Sequence, residues 1–205
     1  GLMGIAYPAA YGGGGGAGWM TRIEREISRD YEENTGFPGA TTAMLAPALL
    51  RHASEEQKLE YLPKLLSAEL TFCQLFSEPG SGSDLASLGT RALRDGDEFI
   101  VTGQKVWNSA AQLCDWGFLL VRTDPDAPKH RGITFVLVDM STPGIEVRPL
   151  VQINGSAHFN EVFLDEVRIP VANVIGEINE GWTVARTVLA NEAAFIGGSA
   201  KTLAS

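Results

Sequence analysis

The chain is poor in cysteine and histidine, and both shortages argue against particular kinds of site. It has two cysteines and three histidines among 205 residues. Cys73 and Cys114 lie in apolar surroundings without a Cys-x-x-Cys spacing, a pattern typical of two buried thiols in a reducing compartment. No histidine stands at ligand spacing from a cysteine or another histidine, so we expect no metal site.

Basic residues and long apolar runs are also scarce. The 16 Lys and Arg are outnumbered by 25 Asp and Glu, which gives a net charge of −9. So acidic a chain is a poor candidate for binding nucleic acid or an anionic membrane surface. No apolar run approaches the ~18 residues of a membrane span, and the first residues show no secretory signal. We therefore expect a soluble protein without a membrane span, located in the cytoplasm or, in a eukaryote, in the mitochondrial matrix.

What the chain does contain is a helical spacing of apolar residues up to about residue 70. Gly12–Gly16 interrupts this spacing, and five consecutive glycines predict a loop because each loses much backbone entropy on ordering. Three helices are expected. A capping box at Thr21 and Glu24 predicts the start of the first, and apolar spacing from Thr42 to Arg51 predicts the second. A capping box at Ser54 and Gln57 predicts the start of the third, which we expect Pro63 to interrupt.

From about Leu70 the pattern changes to short β-branched and aromatic runs bounded by glycine and proline turns. Asp95-Gly96 between two of these runs predicts a two-residue hairpin with positive φ at both central positions. No helical spacing separates the runs, which favours an antiparallel barrel or sandwich over a doubly wound sheet. The predicted strands are Thr71–Phe76, Gly89–Arg94, Glu98–Thr102, Trp116–Arg122, Gly132–Asp139, Ile145–Pro149 and Phe159–Arg168.

Helical spacing returns from Trp182 to about Ser199, where apolar residues recur on one face. The three patterns together predict an α+β fold with three parts. These are an N-terminal α-helical region (residues 1–70), a middle antiparallel β-barrel or sandwich domain that binds the cofactor discussed below (71–172), and the start of a C-terminal helical bundle (173–205).

Two segments beside the predicted strands are suited to a ligand. The loop Ser77-Glu78-Pro79-Gly80-Ser81-Gly82-Ser83-Asp84 exposes backbone N–H groups around Gly82 and a hydroxyl group at Ser83, which together are typical of an anion-binding nest for a pyrophosphate. An ordinary Pro-Gly turn with a serine cap is the alternative interpretation. The segment Gly103-Gln104-Lys105-Val106-Trp107-Asn108-Ser109 ends a strand with Trp107, whose ring is either buried or available for a planar cofactor to stack on.

Together the two segments resemble the signature of the acyl-CoA dehydrogenase family. That signature is Ser or Thr followed by Glu-Pro-x-x-Gly-Ser-Asp, and later Gly-x-Lys-x-Trp-x-Ser/Thr. Its matches here are Gln74–Asp84 and Gly103–Ser109. The likeness covers nearly the whole chain and continues through Tyr11-Gly12-Gly13, Glu55–Lys58 with Leu62-Pro63, Phe163–Pro170 and Gly181-Trp182.

The resemblance implies a flavoprotein that uses FAD to oxidise an acyl-CoA thioester to the trans-2-enoyl-CoA, a step of β-oxidation in fatty acid or lipid metabolism. It places Ser77 near the flavin ring, Trp107 against the isoalloxazine and Ser109 near the hydride-accepting N5. Ser83 would lie near the pyrophosphate or the substrate. By similarity, the cofactor-binding residues are Gln74, Phe76, Ser77, Gly82, Ser83, Trp107 and Ser109, and Ser83 also contacts the substrate.

The reaction also needs a base for the α-proton. The family places this glutamate either in a later helical domain or on the helix that begins here at Gly181, and Glu192 occupies the second place. On that helix Glu192 falls inside the apolar face between Val188 and Ile196, where partial desolvation makes a carboxylate a stronger base. A structural glutamate that pairs with a basic side chain is the alternative interpretation.

The resemblance further implies an electron-transfer flavoprotein as electron acceptor and a homodimer or homotetramer, or else a hetero-oligomer. Three interpretations stay open: an active dehydrogenase, a non-catalytic subunit that pairs with an active partner, and an acyl-CoA oxidase that passes electrons to oxygen. Ala193 stands where many relatives have an arginine that helps hold the CoA nucleotide. This difference keeps the non-catalytic subunit open.

Overall fold

The computed structural model describes residues 4–28 and 36–202, and the chain divides into two compact units. The helical unit comprises Gly1–Thr71 and Thr187–Ser205, and the sheet unit comprises Phe72–Arg186. Helices and strands are therefore segregated along the chain, which confirms the predicted α+β class. No helix of the described residues is long and apolar enough to cross a membrane.

Among the residues that the structure describes, three α-helices precede the sheet: α1 is Gly18–Ser28, α2 is Gly36–His52 and α3 is Glu55–Leu66. The capping box predicted at the start of α3 is confirmed. Ser54 Oγ accepts a hydrogen bond from Gln57 N at 3.2 Å, and Gln57 Oε1 accepts one from Ser54 N at 2.9 Å. The core of this unit is built from apolar side chains that are fully or almost fully buried: Leu45, Leu49, Leu62, Leu65 and Leu66.

Two helix boundaries were predicted wrongly. Helix α1 begins at Gly18 rather than at a cap formed by Thr21, because Met20 N already donates to Ala17 O at 2.9 Å and closes a turn earlier. Pro63 does not interrupt α3 but lies inside it. A proline removes one helical hydrogen bond, and burial of the neighbouring Leu62 and Leu65 offsets that loss.

The predicted glycine loop is confirmed, since the backbone of Gly12–Gly16 forms no helix or strand. It packs against the preceding turn through hydrogen bonds from Gly14 N to Gly4 O at 2.9 Å and from Gly16 N to Ile5 O at 2.8 Å. A Cβ atom at Gly13 would collide with the carbonyl of Tyr7. The close backbone contact therefore requires glycine at this position.

All seven predicted strands are present, and they form one curled sheet in the order β1-β4-β2-β3-β7-β6, with β5 on the other edge of β4. Their bounds are Phe72–Leu75 (β1), Arg91–Asp95 (β2), Glu98–Ser109 (β3), Trp116–Arg122 (β4), Ile133–Asp139 (β5), Ile145–Leu150 (β6) and Phe159–Pro170 (β7).

The sheet is largely antiparallel, as predicted, but two of its pairings are parallel. Strand β1 runs parallel to β4 over four residue pairs, and β2 meets the end of the same edge of β4 at Arg91 and Arg122. The loop between β1 and β2 therefore carries the chain from one half of β4 to the other. The alternation of apolar and polar residues predicted each strand, but it contains no information on whether the neighbouring strand in the sheet runs parallel or antiparallel.

The centre of the sheet unit is apolar on both faces. In β4 every residue from Gly117 to Val121 is buried, and β5 is buried along nearly its whole length. Phe76, just beyond β1, packs edge-on against Phe118 at 5.7 Å and Phe135 at 6.0 Å between ring centroids. This aromatic cluster fixes the point at which the chain leaves β1 for the predicted cofactor loop.

The predicted hairpin joins β2 to β3, although its two central residues are Gly96 and Asp97 rather than Asp95 and Gly96. Asp95 pairs with Glu98, and of the two central residues only Gly96 has positive φ, at +63°. Helix α4, Gly181–Thr202, follows the sheet and confirms the predicted return of helical structure. The boundary between the two units falls within α4.

Candidate functional site

The structure brings the two predicted ligand segments side by side in the sheet unit. Val106 N, in the second half of β3, donates a hydrogen bond to Ser77 O at 2.9 Å. Two residues further on, Asn108 Nδ2 donates to Gln74 O at 2.8 Å. The end of β1 with Gln74 and the following residues Phe76 and Ser77 therefore lie along the stretch of β3 that contains Trp107 and Ser109.

Trp107 is the most unusual residue of this stretch. Its φ is +63°, a conformation that a bulky residue rarely adopts, and it lies where the register between β3 and β7 shifts. Its side chain is 62% exposed and makes an edge-on contact with Phe159, with 6.0 Å between ring centroids. A large aromatic ring is thus held outside the core by a strained backbone, which is typical of functional sites.

Two buried asparagine residues lie in the sheet next to this stretch of β3. Asn108 and Asn160 are opposite each other on β3 and β7, and both are almost completely buried. Asn160 Nδ2 donates to Asn108 O at 2.9 Å, while Asn108 Nδ2 is bonded to Gln74 O. Ser109, the last residue of β3, is half-buried beside them.

A buried ion pair ties the loop to β3. The side chain of Lys105 is 0% exposed, and its Nζ lies 2.8 Å from Glu78 Oε1 and 3.1 Å from Phe76 O. Glu78 accepts two further hydrogen bonds, from Gly89 N at 2.6 Å and Thr90 N at 2.9 Å. The carboxylate thus joins three segments: the Pro-Gly turn after β1, the two residues before β2, and the middle of β3.

Burial and pairing act in opposite directions on this pair. Burial lowers the pKa of Lys105 to about 8, even though Glu78 favours the charged form. Burial also opposes ionisation of Glu78, but the charge and hydrogen bond of Lys105 and the bonds from Thr90 and Gly89 outweigh it. The pKa of Glu78 is therefore below its usual value, and the pair is ionised at neutral pH.

The segment of the loop that was predicted to bind an anion is exposed to solvent. Glu78 and Ser81 close a Pro-Gly turn with two backbone hydrogen bonds of 2.9 and 3.0 Å. The buried Ser81 hydroxyl group donates to Leu85 O at 3.2 Å. Between these anchors, Gly82 and Ser83 are exposed, as an anion-binding nest requires.

An exposed ion pair and a bridging arginine hold the far end of this loop. Asp84 lies 2.6 Å from Lys129 Nζ and also accepts from the Ser87 hydroxyl group at 2.6 Å, and these bonds lower the pKa of Asp84. The Arg122 guanidinium donates to Ala86 O at 2.6 Å and to Arg131 O at 2.8 Å. It thereby links the loop to the segment that carries Lys129.

The predicted base lies on α4, in the part assigned to the helical unit. Glu192 is half-buried. The predicted apolar face is buried at Val188 but exposed at Ala193 and at Ile196, so Glu192 lies where the buried part of the helix face ends. Among the residues that the structure describes, no group of three or more His, Cys, Asp or Glu is placed to hold a metal ion.

Sequence reasoning missed four residues that organise the site: Glu78, Lys105, Asn108 and Arg122. The sequence did contain a signal for two of them, Lys105 and Glu78. Lys105 and Glu78 carry opposite charges, and each stands inside one of the two matched segments next to residues expected to be buried. A buried charge requires a partner, so the two segments could have been paired from sequence. No comparable pattern marked Arg122, whose partners are backbone carbonyls.

Comparison with known proteins gives matches over almost the whole chain. Residues 1–69 match the acyl-CoA dehydrogenase N-terminal domain, and residues 73–167 match the acyl-CoA dehydrogenase middle domain. The acyl-CoA dehydrogenase FadE34 of Mycobacterium tuberculosis is 50% identical over 94% of this chain and 27% of its own length.

Solved structures also match this chain over almost its whole length. The Tcur3481-Tcur3483 steroid ACAD is 39% identical, with a TM-score of 0.83 over 93% of this chain and 49% of its own. The ChsE4-ChsE5 complex from Mycobacterium tuberculosis is 35% identical, with a TM-score of 0.80 over 92% of this chain and 48% of its own. The chain therefore spans about half the length of these solved relatives and about a quarter of FadE34.

Proposed function

The chain belongs to the acyl-CoA dehydrogenase family, and on that premise we propose that it forms part of an FAD-dependent enzyme. The proposed reaction removes the α-proton and the β-hydride of an acyl-CoA thioester and yields the trans-2-enoyl-CoA. The observation that carries this proposal is Trp107, a strained and exposed aromatic residue in the stretch of β3 that ends at Ser109 and is bonded to Ser77 O through the neighbouring Val106 N.

The residues present fit FAD in three respects. Trp107 offers a flat apolar surface against which a planar ring system can pack. Ser77 on the loop and Ser109 on β3 supply hydroxyl groups, and hydroxyl groups can donate to ring nitrogen or carbonyl oxygen atoms. Gly82 and Ser83 are exposed on a loop anchored at both ends, which suits a pyrophosphate.

In this proposal FAD, when bound, supplies the hydride acceptor, and the protein supplies orientation and a base. Trp107, Ser77 and Ser109 bind and orient the ring system, while the Gly82-Ser83 segment holds the phosphates. Holding the reacting groups in a fixed geometry removes much of the entropic cost of their encounter. Glu192 accepts the α-proton on a carboxylate oxygen, and its half-buried position limits the water that competes for that proton.

The experiment that tests the role of Glu192 is anaerobic stopped-flow reduction of the flavin by acyl-CoA. Glu192→Gln is nearly isosteric and cannot accept the proton, so we expect flavin reduction to slow by at least about 10²-fold with FAD content unchanged. The matched control is Glu177→Gln at an exposed glutamate before α4, which should reduce at the wild-type rate. Wild-type reduction by the Glu192 variant would assign the base to another residue.

A second candidate function is that of a subunit in an assembly of two different chains. It is favoured by the ChsE4-ChsE5 complex, which is similar to this chain, and by Ala193 in the place where many relatives have an arginine. Size-exclusion chromatography with light scattering separates a homodimer or homotetramer from a chain that needs a different partner. A chain that binds FAD only after such a partner is added would support this second function.

We further propose an electron-transfer flavoprotein as electron acceptor and steroid acyl-CoA thioesters as the first substrates to test. The substrate class is taken from the Tcur3481-Tcur3483 steroid ACAD, to which this chain is 39% identical. A series of acyl-CoA thioesters with straight-chain, branched and steroid acyl groups would rank them by flavin reduction rate. Faster reduction by a straight-chain thioester than by any steroid thioester would remove the steroid assignment.

A further inference from the structure

Lys105 is a fully buried charge to which the proposed reaction gives no task. Its ammonium group is 0% exposed and is held by Glu78 Oε1 and Phe76 O. Removing two charges from water is costly, and apolar side chains of similar volume often stabilise a fold as well or better. Stability alone is therefore a poor explanation for an ion pair at this place.

The positions of the bonds suggest another explanation. Lys105 contacts the loop on both sides of Ser77, through Phe76 O at 3.1 Å and the Glu78 carboxylate at 2.8 Å. The next residue, Val106, donates its N–H to Ser77 O itself at 2.9 Å. Ser77 is thus fixed by two consecutive residues of β3, and its orientation depends on the path of that strand.

The same bonds also fix Trp107. A bulky residue at φ +63° persists only where its surroundings determine its conformation, because that conformation is strained. Lys105 precedes Trp107 and Asn108 follows it, and they donate to Phe76 O, just beyond β1, and to Gln74 O in β1. The end of β1 and the start of the loop therefore hold β3 on either side of the strained residue.

We infer that Lys105 and Glu78 are positioning residues for the cofactor. Their ion pair sets the position of Ser77 relative to Trp107, and in that position both Ser77 and Trp107 contact FAD. The inference rests on the proposed function, because it needs a flavin at these two residues. It assigns the pair a role in geometry rather than in net stability.

The test compares two single variants with the double variant in the purified protein. Lys105→Met keeps the length of the side chain without its charge, Glu78→Gln keeps the shape of the carboxylate, and the double variant leaves no uncompensated buried charge. Three quantities are measured for each: the Tm, the Kd of the deflavinated protein for FAD, and the visible circular dichroism of the bound flavin. Arg168→Met, which breaks an exposed ion pair with Asp95 and Glu98 elsewhere on the sheet, is the control.

We expect both single variants to lower the Tm and the double variant to restore it, because an uncompensated buried charge is destabilising while a neutral pair is not. The Kd for FAD should rise at least about tenfold in all three variants, with an altered circular dichroism spectrum, because misplacement of the binding groups persists in the double variant. Arg168→Met should leave the Kd and the spectrum unchanged. A double variant that recovers both the Tm and the wild-type Kd would overturn the inference and leave the proposed function intact. A wild-type protein that binds no FAD would overturn both.

Discussion

Two ion pairs stand at the two ends of one loop, with similar geometry and very different surroundings. Lys105 Nζ lies 2.8 Å from Glu78, and Lys129 Nζ lies 2.6 Å from Asp84. The side chains of the first pair are 0% and 11% exposed, whereas those of the second are 49% and 63% exposed. The N–O distance does not distinguish these pairs, but burial does. Solvent weakens the electrostatic attraction within an exposed pair much more than within a buried one.

The comparison also shows how the loop is organised. The segment up to Glu78 is locked to β3 by the buried pair and by backbone bonds, while Gly82 and Ser83 lie between the two pairs and are exposed. The two ends serve the two parts of the proposed cofactor differently. A ring system needs fixed neighbours on either side, whereas a pyrophosphate needs accessible N–H groups.

The largest difference between the two pairs should appear when the acid is removed from each. Glu78→Ala leaves the buried Lys105 ammonium unpaired, so we expect it to lower the free energy of unfolding by about 3–5 kcal/mol. Asp84→Ala removes an exposed partner of Lys129 and should leave the Tm unchanged. Urea unfolding followed by circular dichroism measures both. Equal losses in the two variants would show that burial does not separate the pairs.

Substitutions of Trp107 should have smaller effects on stability. They distinguish the cost of its strained backbone from its contribution to FAD binding. Trp107→Gly relieves the positive φ, a gain of about 1–3 kcal/mol, and loses the contact with Phe159, a loss of about 1 kcal/mol. We expect a Tm at or above the wild-type value together with an FAD Kd raised at least about tenfold, by the same reasoning that assigns the ring to the flavin. Trp107→Ala keeps the strain and should bind FAD as weakly with a lower Tm than Trp107→Gly. An unchanged Kd in both would remove Trp107 from the cofactor site.

The smallest effect concerns acid pH. Because the pKa of Glu78 is lower in the folded protein than in the unfolded chain, its ionised form stabilises the fold above the unfolded pKa of about 4.3. This contribution is lost as the pH falls through the lower folded value. The difference in Tm between wild type and Glu78→Gln should therefore shrink as the pH is lowered from 6 towards ~3. A difference that stays constant over this range would contradict the assigned ionisation of Glu78, and Asp84→Asn serves as the exposed comparison.

Much of this fold could be predicted because local rules decide it. Alternation and turn residues predicted all seven strands, and the Ser54 and Gln57 capping box predicted the start of α3. The start of α1 was missed because Thr21 and Glu24 satisfy the capping pattern equally well inside a helix. The parallel pairing of β1 with β4 was missed because partner direction depends on the path of an intervening loop.

The candidate site was predictable in its residues but not in their arrangement. Gln74, Ser77 and Trp107 were identified from motif resemblance, and the structure places them on adjoining segments. The positive φ of Trp107 could not be predicted, because it follows from a register shift between β3 and β7. The environment of Glu192 was also difficult to predict, since helical periodicity gives the face of a residue but not where burial along that face ends.

The proposal that this chain forms the flavin site of an acyl-CoA dehydrogenase can be tested by an anaerobic titration. The purified protein is supplied with FAD, its visible spectrum is recorded, and acyl-CoA thioesters are added in the absence of oxygen. We expect FAD to bind and at least one thioester to bleach its visible absorbance, with the electrons then passing to an electron-transfer flavoprotein. Oxygen consumption in place of that transfer would identify an oxidase. A protein that binds no FAD, or a bound flavin that no thioester reduces, would show that the proposed function is wrong.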